Sequence, residues 1–328
     1  MNILVTGSSG FIARFMIPEL AAQGHAVAGI DKRKGPVFGD YFRFVHGNIL
    51  DEQAVDAAMQ RTDVVIHLAA EHKDFGVPAG LYHQVNVDGT ELLLQCASRL
   101  GINKFMFFSS VAVYGDRSTP TDEMMTPAPV SPYGESKLRA EERIQIWAAE
   151  DRCRSATIVR PAVIFGPHNY ANMYRLIRSV SRHRYVSVGN GENIKSVGYV
   201  ENIAAAAIFL MHRMLPGVDI YNFADTPHMA TRDLVARIAK HLNVGLPPVR
   251  IPKSLALACV YPLDIIAKVT GIDLPLTAKR IDKFTRPTHH QADKIIAAGF
   301  VPPHSLDTAI ARTAAWFQAD QDAPPEAT

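Results

Sequence analysis

At 328 residues, with 48% hydrophobic and 20% charged residues, the chain has the size for one large domain or a major and a minor one, and its composition excludes the disordered class. Lys plus Arg (34) nearly balances Asp plus Glu (32), so no global field points to nucleic acid. The three cysteines, Cys96, Cys153 and Cys259, are widely spaced and odd in number, and thirteen histidines show no His-Glu-x-x-His spacing; neither a disulfide framework nor a metal is expected.

In chain order, the pattern predicts a strand at 3–5, a helix at 11–23 and strands at 26–30 and 42–45. A helix at 51–60, a strand at 64–68, a helix at 80–100 and a strand at 104–108 follow, then a helix at 132–150 and a strand at 156–160. Such alternation implies βαβ units, hence an α/β fold: a Rossmann-type doubly wound parallel sheet covered on both faces. After Pro161 the rhythm loosens around Gly166-Pro167, Gly189-Asn190-Gly191 and Gly245-Leu246-Pro247-Pro248. The expected organisation is a dinucleotide-binding domain over 1–165, a smaller substrate-binding lobe over 166–320 and a frayed tail over 321–328. The opening Asn2-Ile3-Leu4-Val5 lacks the features of a signal peptide, and no uncharged run reaches the ~18 residues of a membrane span. A cytoplasmic protein is expected.

Thr6-Gly7-Ser8-Ser9-Gly10-Phe11-Ile12 lies between the first strand and the first helix, where a Rossmann sheet holds a pyrophosphate at a helix N-terminus. Ala13 supplies the third small position. Asp31 closes the second strand, at the spacing where a carboxylate meets the adenosine ribose hydroxyls. That favours NAD, while Lys32 and Arg33 beside it would suit the 2′-phosphate of NADP.

Tyr133-Gly134-Glu135-Ser136-Lys137 places a phenol and an ammonium at i and i+4 of a helix, on one face. The same spacing arises wherever a tyrosine lies over a snorkelling lysine, so context decides its meaning. A nearby cation stabilises a phenolate, which makes the tyrosine a usable base at neutral pH. Ser109-Ser110 precede this pair by about one element.

Taken together, Thr6 to Ile12, Asp31, His67-Leu68-Ala69-Ala70, Asn86-Val87-Asp88-Gly89-Thr90, Ser109 to Gly115, Tyr133 to Lys137 and Arg160-Pro161 to Gly166-Pro167 resemble the extended short-chain dehydrogenase/reductase superfamily, in its sugar epimerase/dehydratase branch. The resemblance implies NAD as cofactor and Tyr133, Lys137 and Ser110 as catalytic residues. Tyr133 would be the base and acid, Lys137 would bind the nicotinamide ribose and tune Tyr133, and Ser110 would hydrogen-bond the reacting oxygen. It further implies a cofactor site of Gly7, Ser9, Gly10, Phe11, Ile12, Asp31, Asn48, Ile49, Leu68, Ala69, Ala70, Asn86, Ser109, Tyr133, Lys137 and Pro161. Asn48 stands where many relatives have an Asp.

Ala70-Glu71-His72-Lys73-Asp74, Leu81-Tyr82, Arg160 to Gly166 and Asn190 to Ser196 look like the bacterial N-acetylglucosaminyl-diphospho-undecaprenol 4-epimerases of surface-polysaccharide assembly. Val163 stands where soluble UDP-hexose epimerases typically carry an Asn that contacts the nucleotide diphosphate. By motif position, Glu71, His72, Asn169, Asn172 and Lys195 are candidate substrate contacts. The implied activity is 4-epimerisation of a diphosphate-linked N-acetylhexosamine, lipid-linked or nucleotide-linked, by a homodimer using helices near 80–100 and 132–150. A 4-keto-sugar reductase or other alcohol dehydrogenase would use the same three residues, and a non-catalytic NAD-binding regulator would use the same fold.

An apolar stretch from Ser254 to Ala267, interrupted by Pro262, is followed by Lys279, Arg280, Lys283 and Arg286. It reads either as a core helix and a solvated helix or as an interfacial segment held against an anionic membrane.

Overall fold

A computed structural model describes residues 1–36, 38–73, 76–247, 250–270, 278, 282 and 285–322, with backbone alone at 262–270 and 321–322. Asp74, Lys279, Arg280, Lys283 and the end of the expected tail, 323–328, lie outside the described residues.

The chain forms two compact units. The first comprises 1–164, 198–225 and 290–304; the second comprises 165–197, 226–289 and 305–328. In the first, β1 (Asn2–Thr6), α1 (Phe11–Ala22), β2 (Ala26–Asp31), β3 (Phe42–His46), α2 (Glu52–Met59) and β4 (Val64–His67) follow in order. Then come α3 (Ala79–His83), α4 (Gly89–Arg99), β5 (Lys104–Phe108), α5 (Pro132–Ala149) and β6 (Ser155–Pro161). A later strand, Gly217–Phe223, completes a seven-stranded sheet in which it is followed by β6, β5, β4, β1, β2 and β3. Every pairing in the sheet is parallel.

Helices cover both faces because the central strands carry runs of buried apolar side chains that point to the two faces alternately. Ile3, Val5, Val64, Ile66, Met106 and Phe108 enter one core with Ala13, Met16, Ile17 and Leu20 of α1 and with the helix Val200–Met211. Leu4, Val65, Phe105 and Phe107 enter the other, with Val55 of α2, Leu93 and Ala97 of α4 and Ile144 and Trp147 of α5. Local signals set the helix ends. The Asp51 carboxylate accepts the Gln53 and Ala54 N–H groups to start α2, and Ser131 Oγ accepts the Gly134 N–H to start α5, with Pro132 at its first position.

The sheet's outer strand has its edge groups occupied by side chains. The Asn222 N–H donates to Glu123 Oε1 at 2.8 Å, and Lys294 Nζ donates to the Ile220 carbonyl at 2.8 Å.

Two expectations are corrected. The helix predicted over 80–100 is divided: a π-helical turn, Gln84–Asp88, separates α3 from α4. Thr90 Oγ donates to the Asn86 carbonyl at 2.6 Å, taking the acceptor that a regular α-helical turn would use. Conversely, Pro262 does not interrupt its segment, which runs as one helix, Lys253–Thr270. The missing proline N–H frees only the carbonyl four residues earlier, that of Ala258, an exposed residue. No helix among the described residues is long and apolar enough to cross a membrane.

The second unit contains the helices Asn172–Ser181, Thr231–Leu242, Lys253–Thr270 and Leu306–Asp322 with two short strand pairs. Tyr170, Tyr174 and Trp316 form an aromatic cluster there, with ring centroids 5.0–5.9 Å apart.

The helix Val200–Met211 is anchored by a buried carboxylate. Asp225 accepts the Tyr199 N–H at 2.6 Å and the Asn202 amide at 2.9 Å. Burial, opposed by these two donors, still pushes its pKa up from 3.8 to about 6. A raised folded-state value means that this group's stabilising contribution is complete below about 4 and is lost as the pH rises through about 6. Between about pH 4 and about pH 7, urea-unfolding midpoints should therefore move in favour of Asp225→Asn over the wild type, by roughly 2 kcal/mol. An unchanged difference across that range would contradict the carboxylate's raised value.

Candidate active site

The parallel register brings the carboxyl ends of β1, β2, β4, β5 and β6 to one edge of the sheet, and most of the expected site residues lie on the segments that leave it. Gly7 turns the chain at φ +67°, and a Cβ there would lie 2.8 Å from the Ala69 nitrogen. Only glycine fits both the left-handed backbone and the close crossing of Leu68-Ala69. The Leu68 N–H donates to the Thr6 carbonyl and the Ala69 N–H to Thr6 Oγ, each at 3.2 Å, which fixes that crossing. Gly10 caps α1 without a side-chain acceptor, and no acidic residue stands in the first turn. The Phe11 and Ile12 N–H groups, in the first turn, have no acceptor within their own helix and stand at the positive end of its dipole, a donor set that suits a pyrophosphate.

Asp31 leans over this turn. Its carboxylate accepts the Ser9 N–H at 3.1 Å and the Arg33 N–H at 2.9 Å, while Ser9 Oγ donates to the Arg33 carbonyl at 2.6 Å. The following loop holds Asn48, whose side chain accepts the Leu50 N–H, and Ile49, which is buried in the second core.

On the other side of the switch between β1 and β4, Tyr133 and Lys137 lie on one face of α5. Tyr133 is half-buried, its ring edge-on to Tyr82 at 6.3 Å. Lys137 is 2% exposed; its Nζ donates to the Phe108 carbonyl at 2.7 Å and sits 4.6 Å from the centre of the Phe107 ring. Burial, opposed by the charge of Glu141, lowers its pKa from 10.5 to about 7. Ser110 begins the short 3₁₀ turn Val111–Tyr114, its Oγ accepting the Ala112 N–H at 3.1 Å. The hydroxyl proton stays available for a further acceptor. Gly134 allows α5 to approach this turn, since a Cβ there would be 2.5 Å from the Ala112 carbonyl oxygen.

Asn86 is directed into the protein. Its amide donates to the Glu71 carbonyl and to Ser136 Oγ and accepts the Glu71 N–H, while Ser136 Oγ donates to the Tyr133 carbonyl. Asn86 thus couples the loop after β4 to the first turn of α5. Glu71 accepts the N–H groups of His72 and Lys73. In the second unit, Asn169 Oδ1 accepts the Ala171 N–H, Asn172 opens its helix and Lys195 Nζ donates to the Arg286 carbonyl at 2.6 Å. Pro161 ends β6, and Val163 just beyond it is 47% exposed.

A polar layer beneath the site was not anticipated from the sequence. His67, fully buried, bridges Thr6 and Thr90, and burial, then the Lys137 charge, holds its pKa well below the ordinary value, so the ring is neutral. Glu141 receives Ser109 Oγ and pairs with Arg160, which reaches on to the Tyr114 hydroxyl. One signal for Glu141 was present: with Tyr133 and Lys137 it continues an i, i+4, i+8 row along one helix face.

Residues 3–224 match the model of the NAD dependent epimerase/dehydratase family. The chain is 35% identical to the N-acetyl-α-D-glucosaminyl-diphospho-ditrans,octacis-undecaprenol 4-epimerase of Escherichia coli, over 95% of this chain and 94% of that protein. It is 25% identical to the UDP-glucose 4-epimerase of Vibrio cholerae, over 96% and 95%. In fold it is similar to the UDP-glucuronic acid 4-epimerase of Bacillus cereus solved with NAD, with a TM-score of 0.76 over 97% and 99% of the two chains at 21% identity. With a family match across more than half its length, the chain belongs to the NAD dependent epimerase/dehydratase family and is an enzyme of the extended short-chain dehydrogenase/reductase type with NAD as cofactor.

Proposed function

We propose that the protein is a 4-epimerase of a diphosphate-linked N-acetylhexosamine, acting in surface-polysaccharide biosynthesis through a transient 4-keto sugar. The observation that carries this reading is the placement of Tyr133 above a buried Lys137 on one face of α5, with Ser110 presented by the adjoining turn. When bound, NAD supplies acceptance and return of the C4 hydride. Tyr133 takes the proton of the sugar 4-hydroxyl as that hydride leaves, and Ser110 donates a hydrogen bond to the same oxygen. The Lys137 charge and the N-terminus of α5 stabilise the phenolate that Tyr133 must become. Once the 4-keto sugar has turned its other face, Tyr133 would give its proton back to the oxygen.

The cradle of Gly7, Ser9, Gly10, Phe11 and Ile12, with Asp31, would hold the dinucleotide; Asn48, Ile49, Leu68, Ala69, Ala70, Ser109 and Pro161 border it. Asn86 would serve the cofactor site by positioning α5. Glu71 and His72 are proposed to meet the sugar. The assignment of Asn169, Asn172 and Lys195 as substrate contacts rests on their sequence positions. A lipid-linked substrate is favoured by the activity of the Escherichia coli relative and by Val163, an exposed apolar side chain where an amide would contact a nucleotide diphosphate. Homodimerisation through the outer faces of α4 and α5 is part of the same proposal.

Peripheral contact with the inner membrane face would suit such a substrate. Leu255, Ala258, Cys259 and Tyr261 are exposed on the helix Lys253–Thr270, consistent with an interfacial face. The basic side chain of Arg286 is paired to Asp282 at 2.6 Å, so it adds little to that attraction.

Tyr133→Phe should lower turnover by about 10³-fold or more while NAD stays bound, read by sugar analysis and by cofactor content after gel filtration. Substantial remaining activity would sink the assignment. Offered UDP-GlcNAc and GlcNAc-diphospho-lipid separately, the enzyme should invert C4 of the lipid-linked sugar without net coenzyme consumption. Conversion of the nucleotide sugar alone refutes the lipid preference, and stoichiometric NADH oxidation with a keto sugar would indicate a reductase. In flotation with anionic vesicles, Leu255→Glu should reduce the vesicle-bound fraction several-fold; equal flotation of both proteins argues against the interfacial face.

A further inference from the structure

Glu141 is fully buried one helical turn beyond Lys137, and its carboxylate accepts three hydrogen bonds from two residues. Oε1 accepts Ser109 Oγ and Arg160 Nε, the latter at 2.9 Å, and Oε2 accepts Arg160 Nη2 at 2.5 Å. Arg160 extends the chain of contacts: its Nη1 donates to the Tyr114 hydroxyl at 2.9 Å, and its guanidinium lies 4.9 Å from the Tyr114 ring centre. The Tyr114 hydroxyl donates in turn to Asn222 Oδ1 at 2.8 Å.

These bonds grip the two ends of one short segment. Ser109 precedes Ser110 and Tyr114 ends the 3₁₀ turn that Ser110 begins, so the Glu141–Arg160 pair brackets the turn presenting the Ser110 hydroxyl. The Ser109 N–H also donates to the Val159 carbonyl at 2.7 Å, next to Arg160 on β6. A buried ion pair is a costly way to gain stability, because well-packed apolar residues do as well. Its bidentate geometry does, however, fix a direction, and the direction fixed here is that of the turn.

We propose that Glu141 is a positioning residue that, through Ser109 and through Arg160 with Tyr114, holds Ser110 Oγ at the reacting oxygen. This rests on the role given to Ser110 in the proposed function. An amide at position 141 can accept one of these bonds but turns a donor toward the guanidinium, so Glu141→Gln loosens the clamp with little change in volume.

The test is a double-mutant cycle of Ser110→Ala and Glu141→Gln, assayed on whichever of GlcNAc-diphospho-lipid and UDP-GlcNAc the wild type converts. Ser110→Ala should lower kcat by about 10²-fold and Glu141→Gln by about tenfold, both with the sugar KM and NAD retention near wild type. The double variant should be no more than about twofold slower than Ser110→Ala alone, because Glu141 acts through the hydroxyl already removed. Multiplicative losses overturn the positioning role. A wild-type kcat in Glu141→Gln beside a crippled Ser110→Ala overturns it while leaving the proposed function standing. Full activity in Ser110→Ala, or a wild type that converts neither sugar, overturns both. Should Glu141→Gln fail to fold, Ser109→Ala replaces it in the cycle, since it removes one bond and keeps the ion pair; an unchanged kcat there overturns the positioning role as well.

Discussion

All seven strands of the sheet run in one direction, and the rest of the structure depends on that constraint. Parallel register sets Thr6 opposite both Ile30 and His67, and His67 opposite Phe107, so neighbouring strands end at one level. The chain leaves β1 toward β2 on one side and reaches β4 on the other, which opens a crevice above β1. The turn at Gly7 and Gly10 opens beside this crevice, and Lys137 of α5 bonds to the Phe108 carbonyl at the end of β5.

The level just below the crevice is unusually polar for an interior. Lys137, His67, Glu141 and Arg160 are each 3% exposed or less, and every one has a specific partner. Removing one member of such a buried pair costs about 3–5 kcal/mol, because the other charge is left alone. Within the layer, the Glu141–Arg160 pair is the contact to which this applies.

Placement was legible in the sequence where it depends on local spacing. Gly7 and Gly10 with the following helix, Asp31 at the end of β2, and Tyr133 with Lys137 all stand where spacing placed them. What escaped were contacts between residues distant in the chain. Asn86 meets Ser136 across 50 positions, and Tyr114 meets Asn222 across 108. Neither leaves a periodic trace. The π-helical turn at Gln84–Asp88 was hidden because the apolar period continues through it, and Pro262 misled because its effect depends on whether the freed carbonyl reaches solvent.

The outer strand Gly217–Phe223 illustrates how the fold limits its own growth. Glu123 and Lys294 occupy the Asn222 donor and the Ile220 acceptor that an incoming strand would need. Along that border these two side chains interrupt the ladder that a neighbouring strand would have to complete. A charged side chain at a sheet border thus does for two peptide groups what a covering helix does for a whole face: it gives them partners and keeps them from a second chain.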